Sequence, residues 1–274
     1  MVITMFKSML NSEKKRCNVR NTRGFLKADF HIHTKEDPYD SPYIPYTAKD
    51  LIRVAAKKGF KVLSITNHNS VYFTKSLWSY AKKKGILLIP GAEARIKGKD
   101  VLLINITKDD LKRIRTLEDL ERVKDSALII APHPFFFKGR CLGNALIKHI
   151  DLFHAIEYCH FYTKQLVSPF FSFLNGNTRA VKVAKKYNKP LVGTSDAHKL
   201  YEFNKTYSLV RSAKNKDDVL EAVKKGAVRL VTKPMRPDLF FRRILGFTLK
   251  EFIPQRLHLR KKIPDDFHDF FQKI

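Results

Sequence analysis

Short apolar segments alternate with helical segments along most of this chain, and that alternation restricts the fold more than any other feature. The predicted strands are Leu26–His33, Lys61–Asn67, Ile86–Ala92, Val101–Ile106, Ala127–Pro132, Phe153–Tyr158, Pro190–Ser195, Tyr207–Val210 and Val228–Thr232. The predicted helices are Ala48–Lys58, Tyr72–Lys84, Asp109–Lys124, Leu142–Ile150, Thr178–Tyr187 and Lys216–Lys225. Strands that are apolar on both faces and separated by helices predict a mostly parallel sheet, buried on both sides. With so many repeats, a closed β/α barrel is favoured over an open sheet.

The ends of these strands carry residues that bind metals. In a β/α barrel the C-terminal strand ends meet at one rim, where active sites lie. The residues concerned are His31, His33, His68, Glu93, His133, Asp196 and His198, with Asp37 and Asp40 in the loop after the first strand. Singly, each has an ordinary explanation, such as a turn, a salt bridge or a helix N-cap. Together they predict a metal site with mixed nitrogen and carboxylate ligands, which suit Zn, Mn or Fe rather than Mg alone.

Five motifs at these strand ends resemble those of a known family. They read ADFHIHT, SITNHNS, PGAE, APHP and GTSDAH, and they occur in this order between about residues 25 and 232. In order and spacing the chain resembles the PHP (polymerase and histidinol phosphatase) family of metal-dependent phosphoesterases. The resemblance implies a distorted (β/α)7 TIM-like barrel with two or three divalent metal ions at its rim.

Carried over motif by motif, the resemblance also implies the metal ligands. They are His31, His33, Asp37, His68, Glu93, His133, Asp196 and His198. Glu93 would bridge the metal held by His31, His33 and Asp196 to a second metal that also binds His133. A third metal would take His68, His198 and an acidic residue of the first loop, for which Asp37 is the choice and Asp40 the alternative.

The chain departs from the family pattern at two of the implied positions. Family members often carry a histidine on the strand after the bridging glutamate, but here that strand reads DVLLIN from Asp100 to Asn105. The second metal is therefore expected to be weakly held, completed by water or absent. Asn67 stands where the family commonly has an aspartate, and this change should affect ligand orientation more than ligation. His160 and Cys159 lie near the expected site but are not counted as ligands.

The implied reaction is hydrolysis of a phosphate ester by a metal-activated water, without a separate nucleophilic side chain. Four basic residues next to the ligand motifs are candidates for binding the phosphoryl group: Arg95, Lys138, Arg140 and Lys199. The expected substrate is a small phosphomonoester, a nucleotide or an oligonucleotide end. The rival interpretation is a non-catalytic PHP-like module whose metals are structural or lost.

The charge of the chain bears on its partners. Its 53 Lys and Arg residues against 26 Asp and Glu give a formal net charge of +27. Such a surface attracts nucleic acid, anionic lipid or phosphorylated metabolites, although a Lys-rich solvated exterior would also explain it. No apolar run is long enough to span a membrane. The three cysteines are too few and too scattered for a disulfide framework, which favours a reducing, cytoplasmic compartment.

The predicted domains are a basic N-terminal extension over residues 1–24, the barrel over 25–233 and a basic, aromatic helical tail over 234–274. The Phe-rich and Arg-rich start of the tail could bind an anionic membrane or nucleic acid as an amphipathic helix. Packing of the tail against the barrel or a second copy is the favoured alternative.

Overall fold

The computed structural model describes residues 24–136, 139–164 and 175–240, and these contain the strands and helices of a mixed α/β fold. The strands are β1 (Phe25–Asp29), β2 (Val62–Ile65), β3 (Leu87–Ile96), β4 (Lys99–Ile104), β5 (Leu128–Ala131), β6 (Ala155–Cys159), β7 (Leu191–Thr194), β8 (Thr206–Arg211) and β9 (Val228–Thr232). The α-helices are α1 (Ala48–Lys57), α2 (Lys75–Lys83), α3 (Lys108–Arg113), α4 (Asn144–Lys148), α5 (Gly176–Lys186) and α6 (Lys216–Lys224). Short 3-10 helices cover Ser41–Tyr43, Glu118–Val123 and Ile150–Leu152. The predicted N-terminal extension and nearly all of the tail lie outside the described residues.

The strands form one sheet in the order β7-β6-β5-β4-β3-β2-β1-β8-β9. This sheet is nearly closed and barrel-shaped, which confirms the predicted α/β barrel. The expectation of a mostly parallel sheet was wrong for β4, which runs antiparallel to both β3 and β5. The physical reason is the two-residue turn at Lys97 and Gly98, both with positive φ, which joins β3 to β4 as a hairpin. The strand β8 is also antiparallel to its neighbours β1 and β9.

Several element boundaries differ from the predicted ones because polar side chains cap the backbone. The predicted helix Asp109–Lys124 is instead the short helix α3 followed by a 3-10 helix. The carboxylate of Asp119 accepts hydrogen bonds from the backbone N–H groups of Arg115 and Thr116, which holds the chain out of helical geometry between the two. The helix α2 begins at Lys75 because the side chain of Thr74 caps its first turn.

The end of β1 separates an apolar layer from a polar one. Phe30 and Ile32 are fully buried in apolar clusters, and Phe30 packs with core side chains drawn from β1 through β8. His31 and His33, which alternate with them, are equally buried but face the other side. Regular pairing of β1 ends at Asp29, yet Ile32 still forms a parallel bridge to Ala197 after β7. The first and last predicted motifs are therefore adjacent in space.

Gly193 lies where β7 meets β8 and the barrel-shaped sheet closes. Its N–H donates to the Ser208 hydroxyl at 3.0 Å, and a Cβ added to it would lie 2.7 Å from the backbone carbonyl oxygen of Tyr207. We expect Gly193→Ala to lower the free energy of unfolding by about 1–3 kcal/mol, because the backbones must separate. Urea denaturation measures this change. Gly139→Ala is the control, since its Cβ would meet no atom within 4 Å; equal effects of the two substitutions would contradict the account.

The chain divides into two compact units, Met1–Met235 and Arg236–Ile274. The sequence placed this boundary two residues earlier. In the described part of the second unit, the guanidinium of Arg236 pairs with the carboxylate of Asp238 at 3.1 Å. Among the described residues, no helix has the length and apolar character needed to cross a membrane.

Candidate metal centre

The strand ends bring all eight predicted ligands into one buried cluster. His31, His33 and Asp37 are essentially inaccessible to solvent, and Glu93 is 2% exposed. Asp196, with a side chain 15% exposed, lies at the mouth of the cluster. Because Glu93 belongs to β3 and Asp196 follows β7, residues that are distant in sequence meet here only through closure of the sheet.

Four side-chain atoms at the centre of the cluster converge as the ligands of one metal ion would. They are Nε2 of His31, Nε2 of His33, Oε2 of Glu93 and Oδ1 of Asp196. The two nitrogens are 3.2 Å apart, and their distances to the two oxygens range from 3.3 to 3.5 Å. Four ligands at the usual Zn–N and Zn–O distances from a tetrahedral centre lie about 3.3 Å from one another. The donor set therefore fits a divalent transition metal.

Glu93 has the geometry of a bridging carboxylate because its two oxygens face different groups of histidines. The Oε2 atom lies 3.3 Å from His33 Nε2 and 3.1 Å from His68 Nε2, whereas Oε1 lies 3.1 Å from His133 Nε2. A carboxylate with each oxygen directed at a separate imidazole can bind two metal ions at once.

The five histidines of the cluster share one hydrogen-bonding pattern, in which Nδ1 faces an acceptor and Nε2 faces the other ligand groups. The Nδ1 partners are Glu157 Oε1 for His31 at 3.0 Å, Asp37 Oδ2 for His33 at 3.0 Å and for His68 at 2.9 Å, Cys141 Sγ for His133 at 3.6 Å, and the carbonyl oxygen of Asp196 for His198 at 3.1 Å. A neutral imidazole that donates from Nδ1 keeps its lone pair on Nε2. The pattern thus presents five imidazole lone pairs to the centre, as metal-binding histidines require.

The structure places the two acidic residues of the first loop differently, Asp37, which the sequence favoured as a ligand, and Asp40, the alternative. Asp37 lies behind the histidines, where one of its oxygens accepts from His33 Nδ1, His68 Nδ1 and the backbone N–H of His68. Asp40 lies on the ligand side, with Oδ2 3.0 Å from His198 Nε2. Asp37 is therefore placed to orient the two histidines, and Asp40 is placed among the candidate ligand atoms.

Glu157, on β6, is a site residue that the sequence analysis missed. It is fully buried and accepts hydrogen bonds from His31 Nδ1, from the Thr194 hydroxyl and from the backbone N–H of His133. It therefore holds ligand residues of two different strand ends in place. A charged residue inside the apolar segment Ala155–Cys159 was the signal that could have identified it.

We expect Glu157→Gln to weaken metal binding by about 10–100-fold, because the amide loses the charge that makes His31 a better ligand. Calorimetric titration of metal-free protein with Zn²⁺ measures the change. Glu221→Gln is the control, since Glu221 lies on α6 with its side chain 53% exposed. An unchanged affinity in Glu157→Gln would contradict the role assigned to this carboxylate.

Two of the predicted ligand residues hold unusual backbone conformations. His133 has a φ of 28° and Asp196 a φ of 43°, in the left-handed region that residues with a Cβ seldom occupy. Each lies two residues after the end of a strand, and the turn points its side chain at the cluster. Such strain is commonly retained where function requires it.

The charges of the cluster stabilise one another without a metal. Burial acts to lower the pKa of His31, His33 and His133. The neighbouring carboxylates, preceded for His133 by its hydrogen bond with Cys141, outweigh burial and raise these pKa values well above the ordinary range. Burial likewise acts to raise the pKa of Glu93 and Asp196, but the imidazoles outweigh it and hold both values well below the usual range. Carboxylates that stay ionised in a buried site require positive charge, which protons or a metal can supply.

Asp29 binds the backbone of two segments that carry cluster residues. Its Oδ1 accepts from the backbone N–H of His31 at 3.2 Å and of Ser195 at 3.1 Å, which ties the first motif to the last. Burial raises the pKa of Asp29 to about 7, and its Oδ2 has no hydrogen-bond partner among the described residues.

The four predicted phosphoryl-binding residues differ in position. Arg95 is the best placed, since Nε donates to Asp100 Oδ1 at 3.0 Å while Nη2 is buried without a hydrogen-bond partner among the described residues. Arg140 is exposed, and its carbonyl oxygen accepts from the N–H of Asp100. Lys199, half-buried, follows His198 directly. Lys138 lies outside the described residues.

Comparison with known sequences supports the family indicated by the motifs. Residues 175–228 match the family model PHP_C, described as PHP-associated. The uncharacterized protein MJ1587 of Methanocaldococcus jannaschii is 27% identical over 141 residues, which cover 47% of this chain and 82% of that protein. The PolC-type DNA polymerase III of Lactococcus lactis is 34% identical over 96 residues, 34% of this chain, but the match spans only 6% of the polymerase. These matches support the resemblance to the PHP family.

Solved structures resemble this chain in fold. A two-domain protein from Bacteroides vulgatus, described as containing a predicted PHP-like metal-dependent phosphoesterase, superposes with a TM-score of 0.55 at 19% identity. The match covers 80% of this chain and 70% of that one. PsfC from Pseudomonas syringae gives a TM-score of 0.56 at 16% identity, with 82% of this chain and 99% of PsfC covered. At these identities the similarity establishes the barrel and not the activity.

Proposed function

We propose that this PHP domain hydrolyses a phosphate ester with the help of bound divalent metal ions. The main support is the convergence of four atoms: His31 Nε2 and His33 Nε2 lie 3.2 Å apart, and each lies 3.3–3.5 Å from both Glu93 Oε2 and Asp196 Oδ1. A buried ion-pair network alone would not require every imidazole to direct the same nitrogen inward.

The proposed ligand sets follow the groups of neighbouring atoms. The first metal takes His31, His33, Glu93 and Asp196, and a second shares Glu93 and takes His133. For a further metal we assign His68, His198 and Asp40, because Asp37 is occupied behind the histidines. When bound, the metals would lower the pKa of a water molecule and neutralise phosphoryl oxygens.

The residues of the chain itself then orient and hold the reactants. Glu157 and Asp37 fix the rings of His31, His33 and His68, so that little reorganisation accompanies the reaction. Arg95 can donate from Nη2 to a phosphoryl oxygen while Asp100 holds its Nε. Arg140, Lys199 and Lys138 are the further candidates for this contact.

A phosphorylated small molecule or a nucleic-acid end is the substrate class that this arrangement supports. The net charge of +27 favours polyanions, since contacts to phosphate supply affinity that does not depend on sequence. The similarity to part of a DNA polymerase adds support for the nucleic-acid end.

A screen of the metal-replete protein tests the proposal. The panel should hold p-nitrophenyl phosphate, its bis-ester, nucleoside monophosphates and oligonucleotides with 5′ or 3′ phosphates, each with Mn²⁺ or Zn²⁺. We expect turnover of at least one ester and its loss with chelator. Stoichiometric metal binding without turnover of any ester would favour a non-catalytic module instead.

A further inference from the structure

The structure assigns Asp100 as a ligand of the second metal, at the site where the sequence showed no histidine on the strand after Glu93. This inference rests on the proposed metal centre and deepens it. Glu93, Asp100 and His133 each offer a ligand atom, and these three atoms all lie within 4.8 Å of one another. All three residues are buried, and only 4% of Asp100 is exposed to solvent.

The β3–β4 hairpin places Asp100 near Glu93. In its register Arg95 lies opposite Asp100, and Glu93 lies opposite Leu102. Side chains opposite each other in an antiparallel pair share a face, as do residues two apart on one strand. Asp100 therefore shares the face of Glu93. Pairing of β4 with β5, with Leu102 opposite Ile130, brings the start of β4 to the end of β5, where His133 follows.

A buried ion pair with Arg95 is the simplest alternative role for Asp100. The Arg95 Nε lies 3.0 Å from Asp100 Oδ1. The arginine side chain is, however, 25% exposed, and this ion pair involves only one of the two carboxylate oxygens of Asp100. Glu93 and Asp100 are both buried beside His133, and Arg95 contacts only one oxygen of Asp100, so negative charge is in excess at this edge of the cluster. A divalent ion bound by all three removes that excess.

The donor set of this second site differs from that of the first. Two carboxylates and one imidazole form an oxygen-rich site, whereas His31 and His33 contribute two nitrogens to the first. Oxygen donors favour Mn²⁺, and imidazole donors favour Zn²⁺. The two sites should therefore differ in metal preference, with Mn²⁺ at Asp100 and Zn²⁺ at the histidine pair.

Metal binding by substituted proteins tests the assignment without reliance on activity. Metal-free wild type, Asp100→Asn and Asp100→His are titrated with Mn²⁺ followed by electron paramagnetic resonance, and with Zn²⁺ followed by elemental analysis after gel filtration. We expect Asp100→Asn to bind one Mn²⁺ fewer per chain, or to bind it at least about tenfold more weakly. Asp100→His should restore the second metal but shift its preference from Mn²⁺ towards Zn²⁺.

Arg95→Gln separates the two roles of Asp100, because it breaks the ion pair and keeps the ligand. It should retain both metals, and its thermal unfolding shows whether loss of the pair alone affects folding. If Asp100→Asn and Asp100→His bind Mn²⁺ and Zn²⁺ as wild type does, the assignment is wrong, even in a fully active phosphoesterase. If Asp100→Asn loses one metal but no protein turns over an ester, the assignment stands and the proposed function fails.

Discussion

Asp196→Asn is expected to reduce kcat/KM for phosphoester hydrolysis by about 10³-fold, the largest effect of any single substitution considered. The Oδ1 atom of Asp196 lies 3.4 Å from His31 Nε2 and 3.3 Å from His33 Nε2, so it completes the group of four converging atoms. Asparagine keeps the shape but removes the charge, and a loss of about 4 kcal/mol of transition-state stabilisation corresponds to this factor. Initial rates on the best ester of the screen, with saturating metal, measure it.

Asp217→Asn is the matched control, because Asp217 lies at the start of α6 with its side chain 82% exposed. Its rate should stay within about twofold of wild type, as is usual for surface positions. Circular dichroism and thermal unfolding show whether Asp196→Asn is folded. A folded Asp196→Asn protein that retains more than a tenth of the wild-type rate would mean that the hydrolysis occurs elsewhere.

Metal removal is expected to reverse the pH dependence of stability between pH 6.5 and 8. Nearby carboxylates raise the pKa of His31, His33 and His133 well above 6.5 against the effect of burial. A group whose pKa is raised on folding stabilises the protein fully below its unfolded value, and this contribution is lost as the pH rises through the folded value. Protein in chelator should therefore become less stable from pH 6.5 upward.

Bound metal gives the opposite trend, because it needs deprotonated histidines and binds more tightly as the pH rises. At a metal concentration about 1,000 times Kd, stability increases by about 4 kcal/mol, which raises Tm by roughly 10 °C in a domain of this size. Thermal unfolding with chelator and with Mn²⁺ or Zn²⁺ measures both trends. The scan stops at pH 8 because burial lowers the pKa of Lys27 to about 8, and its titration stabilises the protein above that pH. Equal pH slopes with and without metal would contradict this account of the cluster.

The sequence predicted the parts of the site that depend on local pattern. Alternation along a strand explains why His31 and His33 share a face while Phe30 and Ile32 enter the core. The motifs all lie at strand ends, which explains why Glu93 and Asp196 lie beside these two histidines. The barrel and the resemblance to the PHP family followed from the same pattern.

The sequence did not predict features that depend on pairing between distant segments. The antiparallel course of β4 is set by the Lys97–Gly98 turn, and only the resulting register shows that Asp100 faces Glu93. In the sequence, Glu157 is a single charged residue in an apolar strand, and only the structure shows its hydrogen bond to His31. The choice between Asp37 and Asp40 depends on which side of the imidazoles each carboxylate occupies, and that is a matter of three-dimensional arrangement alone.

Phosphate release as a function of metal added to metal-free protein tests the central claim most directly. The account predicts no release in chelator, a rise as Mn²⁺ or Zn²⁺ fills the sites, and saturation once the bound metal reaches its stoichiometric limit. We also expect Asp196→Asn to stay about 10³-fold less active than wild type throughout the titration. If metal-free protein releases phosphate as fast as the metal-loaded protein does, the central claim is contradicted.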